Sequence, residues 1–315
     1  LFARRTTEVG ALLPELYLHG LSQGDFELAL RGLLGAGAPL SASSIERLRG
    51  KWQAEFEEWR TRPLTDEVVY LWVDGIYVKA GLEKEKTCLL VAIAGLRDGR
   101  KVVVAIESGY RESKESWASL LRSLRDRGMN APKMAIGDGH LGIWAGLSEV
   151  YPETKEGRCW NHKIRNVLEQ LPLKLRSQAL ELLRPIPAAE TKAAGEKLRD
   201  RFVRRYQGGY PKAAAALLRD WDRMVTFYEF PQEHWRHLRT SNVVESPFAS
   251  VRLRTAAGKR YKKVASATAL IWKILMIAES RFRHLNAAHL LREVADGVEY
   301  VDGVRVHHAN RRAAA

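Results

Sequence analysis

Cysteine is scarce in this chain: Cys88 and Cys159 are the only two among 315 residues. That excludes a disulfide-stapled scaffold and fits a reducing compartment. Long apolar runs are missing too. No stretch approaches the roughly 20 residues needed to span a bilayer, so no membrane partner is expected. No signal peptide is evident at Leu1, there is no internal repeat, and the terminal alanines are the only low-complexity stretch. Acidic charge is the minority sign. Asp and Glu number 37 against 51 Lys and Arg, a formal net charge of +14. A chain this basic usually meets a polyanion, so nucleic acid is expected ahead of an anionic membrane surface. A hydrophobic fraction of 46% is enough for a packed core.

Hydrophobic periodicity divides the chain. Residues 9–19 and 22–34 read as helices, the second capped by Ser22. After the break Gly35-Ala36-Gly37-Ala38-Pro39, a longer helix runs through Ile45, Leu48, Trp52, Phe56 and Trp59. Three helices with a short turn before the last fit a helix-turn-helix DNA reader or an ordinary bundle. From residue 68 the period becomes that of strands, at 68–79, 87–96 and 101–107. The last two flank the hairpin signal Arg97-Asp98-Gly99-Arg100. An amphipathic helix at 113–127, a strand at 133–137, a helix at 141–150, a short strand at 158–160 and a helix at 162–171 follow. This order predicts an α/β fold, a mixed sheet with helices on its faces. Residues 172–230 read as helical, broken at Pro185-Ile186-Pro187 and Gly208-Gly209-Tyr210-Pro211. Asn242 is expected to cap a helix carrying Val244, Phe248 and Val251, with Glu245 at its rim. A strongly apolar helix is expected at 266–283, and the rest is weakly patterned.

The chemistry starts from Asp138. It ends the apolar run Met134-Ala135-Ile136-Gly137 and precedes Gly139-His140. An acid there sits at the carboxyl edge of a buried strand, beside a small residue that lets a ligand approach. Asp74 lies in another strand-like run, and Glu245 lies in Arg239-Thr240-Ser241-Asn242-Val243-Val244-Glu245-Ser246. Mg²⁺ takes hard oxygen ligands, and two such ions about 4 Å apart serve phosphoryl transfer. The residues alone leave an alternative open, because Asp74-Gly75 and Asp138-Gly139 are also turn dipeptides and Glu245 could be an exposed helix acid. Cys159-Trp160-Asn161-His162 has metal-ligand spacing but is half of a zinc set, with His140 the nearest candidate partner. A packing role for these residues near the site is the preferred reading. Trp160 is either a core residue or a platform for an unpaired base. Arg252, Arg254, Lys259, Arg260, Lys262 and Lys263, with Tyr261 among them, either neutralise phosphates or form a solvated basic face.

The local strings resemble a known family. Val73-Asp74-Gly75-Ile76-Tyr77-Val78-Lys79 resembles the first acidic motif of the Mutator-type transposases of bacterial insertion sequences. Gly137-Asp138-Gly139-His140-Leu141-Gly142-Ile143 is similar to the second. Arg158-Cys159-Trp160-Asn161-His162-Lys163-Ile164-Arg165-Asn166-Val167 resembles the Cys-x-x-His signature. The Glu245 string is similar to the third acidic motif, and Val251-Arg252-Leu253-Arg254-Thr255 to its basic continuation. Tyr17-Leu18-His19-Gly20-Leu21-Ser22 is similar to the amino-terminal region. The match runs over about residues 8–285, in order.

The resemblance implies a ribonuclease-H-like catalytic fold with a helical insertion before the final Glu. It implies a helical DNA-binding region at 1–62, the first part of the catalytic domain at 63–171, an insertion at 172–235, the final part at 236–285 and a tail at 286–315. Asp74, Asp138 and Glu245 then become the acids that bind Mg²⁺ or Mn²⁺, as two ions. His140, Cys159, Trp160 and His162 become supporting residues. The implied activity is a DDE transposase, in which water nicks DNA at the element's end and the freed 3′-hydroxyl attacks a second phosphodiester in line. Terminal inverted repeats and target DNA are the implied partners. A homodimer, a copy-out route and a cytoplasmic, nucleoid-associated location also follow. The rivals are a transposase-derived DNA-binding protein without activity and a ribonuclease-H-like nuclease such as a junction resolvase.

Overall fold

The computed structural model describes residues 42–81, 86–109, 111–257 and 261–306. The helices expected at 9–19 and 22–34, and the cations Lys259 and Arg260, lie outside the described residues. The first described element is helix α1 (Ala42–Thr61). Its Trp52, Phe56 and Trp59 recur at helical spacing and are buried.

An apolar run, interrupted at Asp74-Gly75, makes β1 (Val68–Val78) a strand buried along most of its length. It pairs antiparallel with β2 (Thr87–Leu96), which pairs antiparallel with β3 (Lys101–Gly109). Gly99 closes the hairpin between β2 and β3 at φ +92°, a conformation that favours glycine. On its other side β1 pairs parallel with β4 (Met134–Gly137), and β4 pairs parallel with β5 (Lys155–Arg158). The five-stranded mixed sheet has the order β3-β2-β1-β4-β5. Parallel pairing requires crossovers, and helices α2 (Lys114–Asp126) and α3 (Leu141–Val150) provide them. Ser113 caps α2 by accepting from the Ser116 N–H at 3.2 Å.

Alternation along the strands sorts side chains to two faces. Leu71, Val73, Leu90 and Ala92 meet Trp117, Leu121, Ile143 and Trp144 of α2 and α3. Tyr70, Trp72, Ile93, Met134 and Ile136 join the larger core on the opposite face. That core includes α1 and the apolar helix α12 (Val264–Glu279), where the rings of Trp59 and Trp272 lie 5.9 Å apart. Each such side chain stabilises the fold by roughly 1.5–3 kcal/mol when fully buried.

After β5 the chain is helical. It forms α4 (Trp160–Glu169), α5 (Leu173–Leu183), α6 (Lys192–Tyr206), α7 (Pro211–Leu218), α8 (Trp221–Val225), two short 3₁₀ turns and α9 (Trp235–Leu238). The expected breaks fall between α5 and α6 and between α6 and α7. Pro211 takes the first turn of α7, where its missing N–H has no helical partner anyway. Then come α10 (Asn242–Glu245), α11 (Phe248–Ala257), α12, α13 (Ala288–Ala295) and a small hairpin of β6 (Tyr300–Val301) and β7 (Val304–Arg305).

Three expectations are corrected. The strand expected at 158–160 runs instead over Lys155–Arg158. It is an edge strand with polar residues at its start, so it lacks the apolar signature. The helix expected from Asn242 is broken into α10 and α11 at Ser246-Pro247, and Ser241 precedes its first turn as N-cap. Pro247 has no N–H to continue the ladder. The segment after 286 is patterned after all, because Leu291, Val294 and Tyr300 belong to the larger core. Among the described residues, no helix is long and apolar enough to cross a membrane.

Candidate metal centre

Parallel pairing of β1 and β4 sets Trp72 opposite Ile136. Asp74 lies two positions further along β1, and Asp138 two positions further on, just beyond the end of β4, so the pairing of the two strands brings these residues to the same end of the sheet. Asp138 stands just past the carboxyl end of β4, where its carboxylate accepts from the His140 N–H at 2.9 Å. Gly139 adopts φ +100°, and a Cβ there would collide with the Arg158 guanidinium. Asp74 accepts from the Gly75 N–H at 2.8 Å.

A carboxylate that sequence reasoning missed completes the cluster. Glu112, in the connection before α2, is only 6% exposed. Oxygens of Asp74, Glu112 and Asp138 lie within 4.8 Å of one another. The Tyr77 hydroxyl donates to Glu112 at 3.1 Å. A Cβ on Gly75 would stand 2.7 Å from the Glu112 carboxyl, so glycine at that point leaves room for the acid. A glycine inside a strand marks close approach of something, and that was the one hint in the sequence.

Burial and then the charge of Asp138 raise Asp74 to about 7, with smaller contributions from Glu112 and Glu245 and partial relief from the Gly75 N–H. Burial and then Asp138 also raise Glu112, while His140, Tyr77 and His162 work the other way. Crowded, half-desolvated carboxylates repel each other unless protons or cations intervene. The donor set is all oxygen, which suits a hard divalent ion such as Mg²⁺ or Mn²⁺.

Helix α10 packs across β1 and β2 and brings Glu245 to this edge of the sheet. Glu245 is close enough to act on Asp74 electrostatically, yet its Oε1 is engaged elsewhere. It accepts a short hydrogen bond from the Ser241 hydroxyl and lies 4.0 Å from Cys159 Sγ and 3.7 Å from His162 Nδ1. Cys159, His162 and Glu245 thus form a second donor cluster, in which Glu245 takes the place expected for His140 beside the Cys-x-x-His pair. Burial opposes ionisation of Cys159, but contacts from His162 and Ser241 pull its thiol below the ordinary value. Contact with the Cys159 sulfur raises His162 to about 8 against the effect of burial, helped by the charges of Cys159, Glu245 and Asp138.

Trp160 is a core residue. It is 2% exposed, and its indole N–H donates to the Met224 carbonyl at 2.8 Å. No base can reach it there. Behind it, Arg158 pairs with Asp220 at 2.5 Å, Arg223 reaches Asp220 at 3.2 Å, and buried Lys163 donates to the Ala216 carbonyl at 2.8 Å. This network ties β5 and α4 to the end of the helical segment.

Beside Asp74 a groove of about 670 Å³ runs between β1 and α11, lined by Gly75, Tyr77, Lys79, Lys86, Arg252 and Thr255. Arg252, Lys262 and Lys263 are exposed. Arg254 is not, with 2% exposure, so its expected place on the basic face is corrected. It stands one helical turn after the buried Val251 and shares its inward side.

Fold and site together define an α/β protein with a carboxylate cluster at one end of a mixed sheet, beside a cationic groove. The chain belongs to the Mutator family of transposases: the profile described as "Transposase, Mutator family" matches residues 2–284. It is 48% identical over 293 residues to the transposase for insertion sequence element IS6120 of Mycolicibacterium smegmatis, covering 93% of this chain and 91% of that one. It is 42% identical over 279 residues to the transposase for insertion sequence element IST2 of Acidithiobacillus ferrooxidans, covering 88% and 94%. A more distant relative is the transposase for insertion sequence element IS256 in transposon Tn4001 of Staphylococcus aureus, 25% identical over 281 residues and covering 87% and 71%.

Proposed function

We propose that this chain is a DDE transposase that cuts DNA at the ends of an insertion sequence and joins the freed 3′-hydroxyl to target DNA. The observation that carries the reading is the meeting of Asp74, in β1, with Asp138, just past the parallel strand β4, where their oxygens lie within 4.8 Å. Three antiparallel strands followed by two parallel ones, with a helical segment before Glu245, support a ribonuclease-H-like catalytic fold. On this reading the catalytic domain comprises residues 63–171 and 236–285, with 172–235 inserted, 1–62 serving DNA recognition and 286–315 as a tail.

Asp74, Asp138 and Glu245 would hold Mg²⁺ or Mn²⁺, and Glu112, grouped with Asp74 and Asp138, would add a fourth carboxylate. A divalent cation, when bound, supplies Lewis-acid stabilisation of charge on the transferring phosphoryl group. The chain's own contribution is placement. β1 and the turn after β4 carry Asp74 and Asp138, and the packing of α10 on β1 and β2 supports Glu245 as the third acid. Lys79, Lys86 and Arg252 line the groove that receives the phosphate backbone, and Lys262 and Lys263 extend the exposed cationic surface. Water attacks first, and the 3′-hydroxyl it releases attacks the target phosphodiester in line. A dimer that pairs two element ends, working in the cytoplasm, completes the proposal.

The test is a joining reaction. A pre-cut element end bearing a 3′-hydroxyl should be joined to target DNA in Mg²⁺, and the same end lacking that hydroxyl should not. A chain that cuts branched DNA and joins nothing would be a nuclease, and the transposase reading would fall.

A further inference from the structure

Cys159, His162 and Glu245 stand apart from the all-oxygen cluster in chemistry. They offer a sulfur, an imidazole nitrogen and a carboxylate oxygen, all within 4.8 Å of one another. That donor set is softer than three carboxylates and suits Zn²⁺ rather than Mg²⁺. Zinc bonds of about 2.3 Å to sulfur and about 2.1 Å to nitrogen or oxygen place tetrahedral donors roughly 3.3–3.6 Å apart. The observed separations from Glu245 Oε1 are 4.0 Å to Cys159 Sγ and 3.7 Å to His162 Nδ1. Side-chain shifts of roughly 0.5 Å close that gap.

The donors are also held in advance. Cys159 caps α4 and His162 follows three positions later, so both face the same side of the helix. The Trp160 N–H donates to the Arg239 carbonyl at 2.9 Å, and Asn161 donates to the Asn242 side chain at 3.1 Å. These bonds lock the first turn of α4 to the segment that carries Glu245. Cys159 is fully buried, and the buried His162 Nδ1 makes no hydrogen bond among the described residues. An aromatic nitrogen buried without a hydrogen bond and facing a thiol and a carboxylate has a place for a cation.

We propose that Cys159, His162 and Glu245 form a zinc site with its fourth position open, and that Zn²⁺ there shuts down DNA cleavage by capturing Glu245. The inhibitory half rests on Glu245 serving as the third acid of the transposase reading. Glu245 groups with Cys159 and His162 and is not among the oxygens gathered with Asp74 and Asp138, so an ion that fixes it in that place keeps it from closing on the hard-metal cluster. Zinc therefore competes with the reaction through a shared ligand rather than by filling the Mg²⁺ position.

Binding is read without activity. The full chain is titrated with Co²⁺, whose bond to a thiolate gives an intense charge-transfer band in the near ultraviolet, and Zn²⁺ is then added to displace it. The band should saturate at one thiolate-bound ion per chain. The band should vanish in Cys159→Ser and persist in Cys88→Ala, since Cys88 is not among the grouped donors. His162→Gln serves as a second variant and should weaken binding at least tenfold; thermal unfolding shows which variants are folded. No band in the parent, or an unchanged band in either folded site variant, overturns the site. Equimolar Zn²⁺ should also cut Mg²⁺-supported cleavage at least tenfold, and a thiophilic chelator should restore it. Zinc that binds with full occupancy and leaves cleavage unchanged overturns the capture of Glu245. Failure of the three-acid reading is distinguished separately, by an Asp138→Asn protein that still cuts.

Discussion

The carboxyl of Glu112 lies 2.7 Å from where a β-carbon on Gly75 would stand. The backbone of β1 beside Asp74 is thus bare because an acid from another segment packs over it. Gly75→Ala should leave the fold intact, with a cost of about 1 kcal/mol, because the far end of Glu112 can swing away. That swing removes a carboxylate from the cluster. DNA cleavage should fall about tenfold or more, and Glu112→Gln should show a similar deficit. Cleavage rates against Mn²⁺ concentration, beside thermal unfolding, check this. A Gly75→Ala protein with parental metal dependence would remove Glu112 from the site.

Asp74 yields a pH prediction. Burial and Asp138 raise its carboxyl from 3.8 to about 7. Between those values the folded chain keeps a proton that the unfolded chain has released. Its contribution to stability is therefore present below about pH 4 and is lost as pH rises through 7. Asp74→Asn should stabilise the metal-free protein by about 2 kcal/mol at pH 8 and much less at pH 5. Millimolar Mg²⁺ should raise the Tm of the parent at pH 8 and that of the variant far less. Thermal unfolding at both pH values, with and without chelator, measures all four quantities.

Asp220 is the shared anion of a buried network: Arg158 meets it at 2.5 Å, Arg223 at 3.2 Å and Lys163 at 4.0 Å. Its φ of 59° is left-handed, which asparagine tolerates, so Asp220→Asn removes charge without straining the backbone. That change strands two buried cations and should cost about 3 kcal/mol. Burial, then Arg158, pushes Lys163 down to about 7. Lys163→Met, which removes the buried charge and keeps most of the volume, should therefore be much milder. Denaturant midpoints of the two variants at pH 6.5 compare them directly.

The basic segment divides by exposure. Replacing Arg252, Lys262 and Lys263 together with Ala should weaken DNA binding at all sequences. It should flatten the plot of log affinity against log salt by about 2–3, roughly one per lost phosphate contact. Arg254→Ala should instead lower the Tm and leave that slope unchanged, because Arg254 is buried. Binding isotherms at several salt concentrations separate the two effects.

Much of the sheet was legible because its strands are buried runs. Met134 to Gly137 is apolar throughout, and Gly99 announces the hairpin. Asp74 and Asp138 stood out because each interrupts such a run beside a glycine. Glu112 did not, since it sits in a connection with no periodicity and meets Asp74 only through tertiary packing. The meeting of Glu245 with Cys159 and His162 was hidden by the helical segment between them. β5 was misplaced because an edge strand opening on Lys155 and Glu156 carries no apolar signature. The inward turn of Arg254 had a signal that was passed over: it lies three residues after Val251, on the side already read as apolar.

The central claim is that Asp74, Asp138 and Glu245 act on DNA through divalent cations, and strand cleavage by Asp138→Asn tests it most directly. With DNA carrying the element's own ends, in Mg²⁺ and again in Mn²⁺, the variant should fold normally and cut on the order of 100-fold more slowly or not at all. A folded Asp138→Asn protein that cuts at the parental rate would contradict the account.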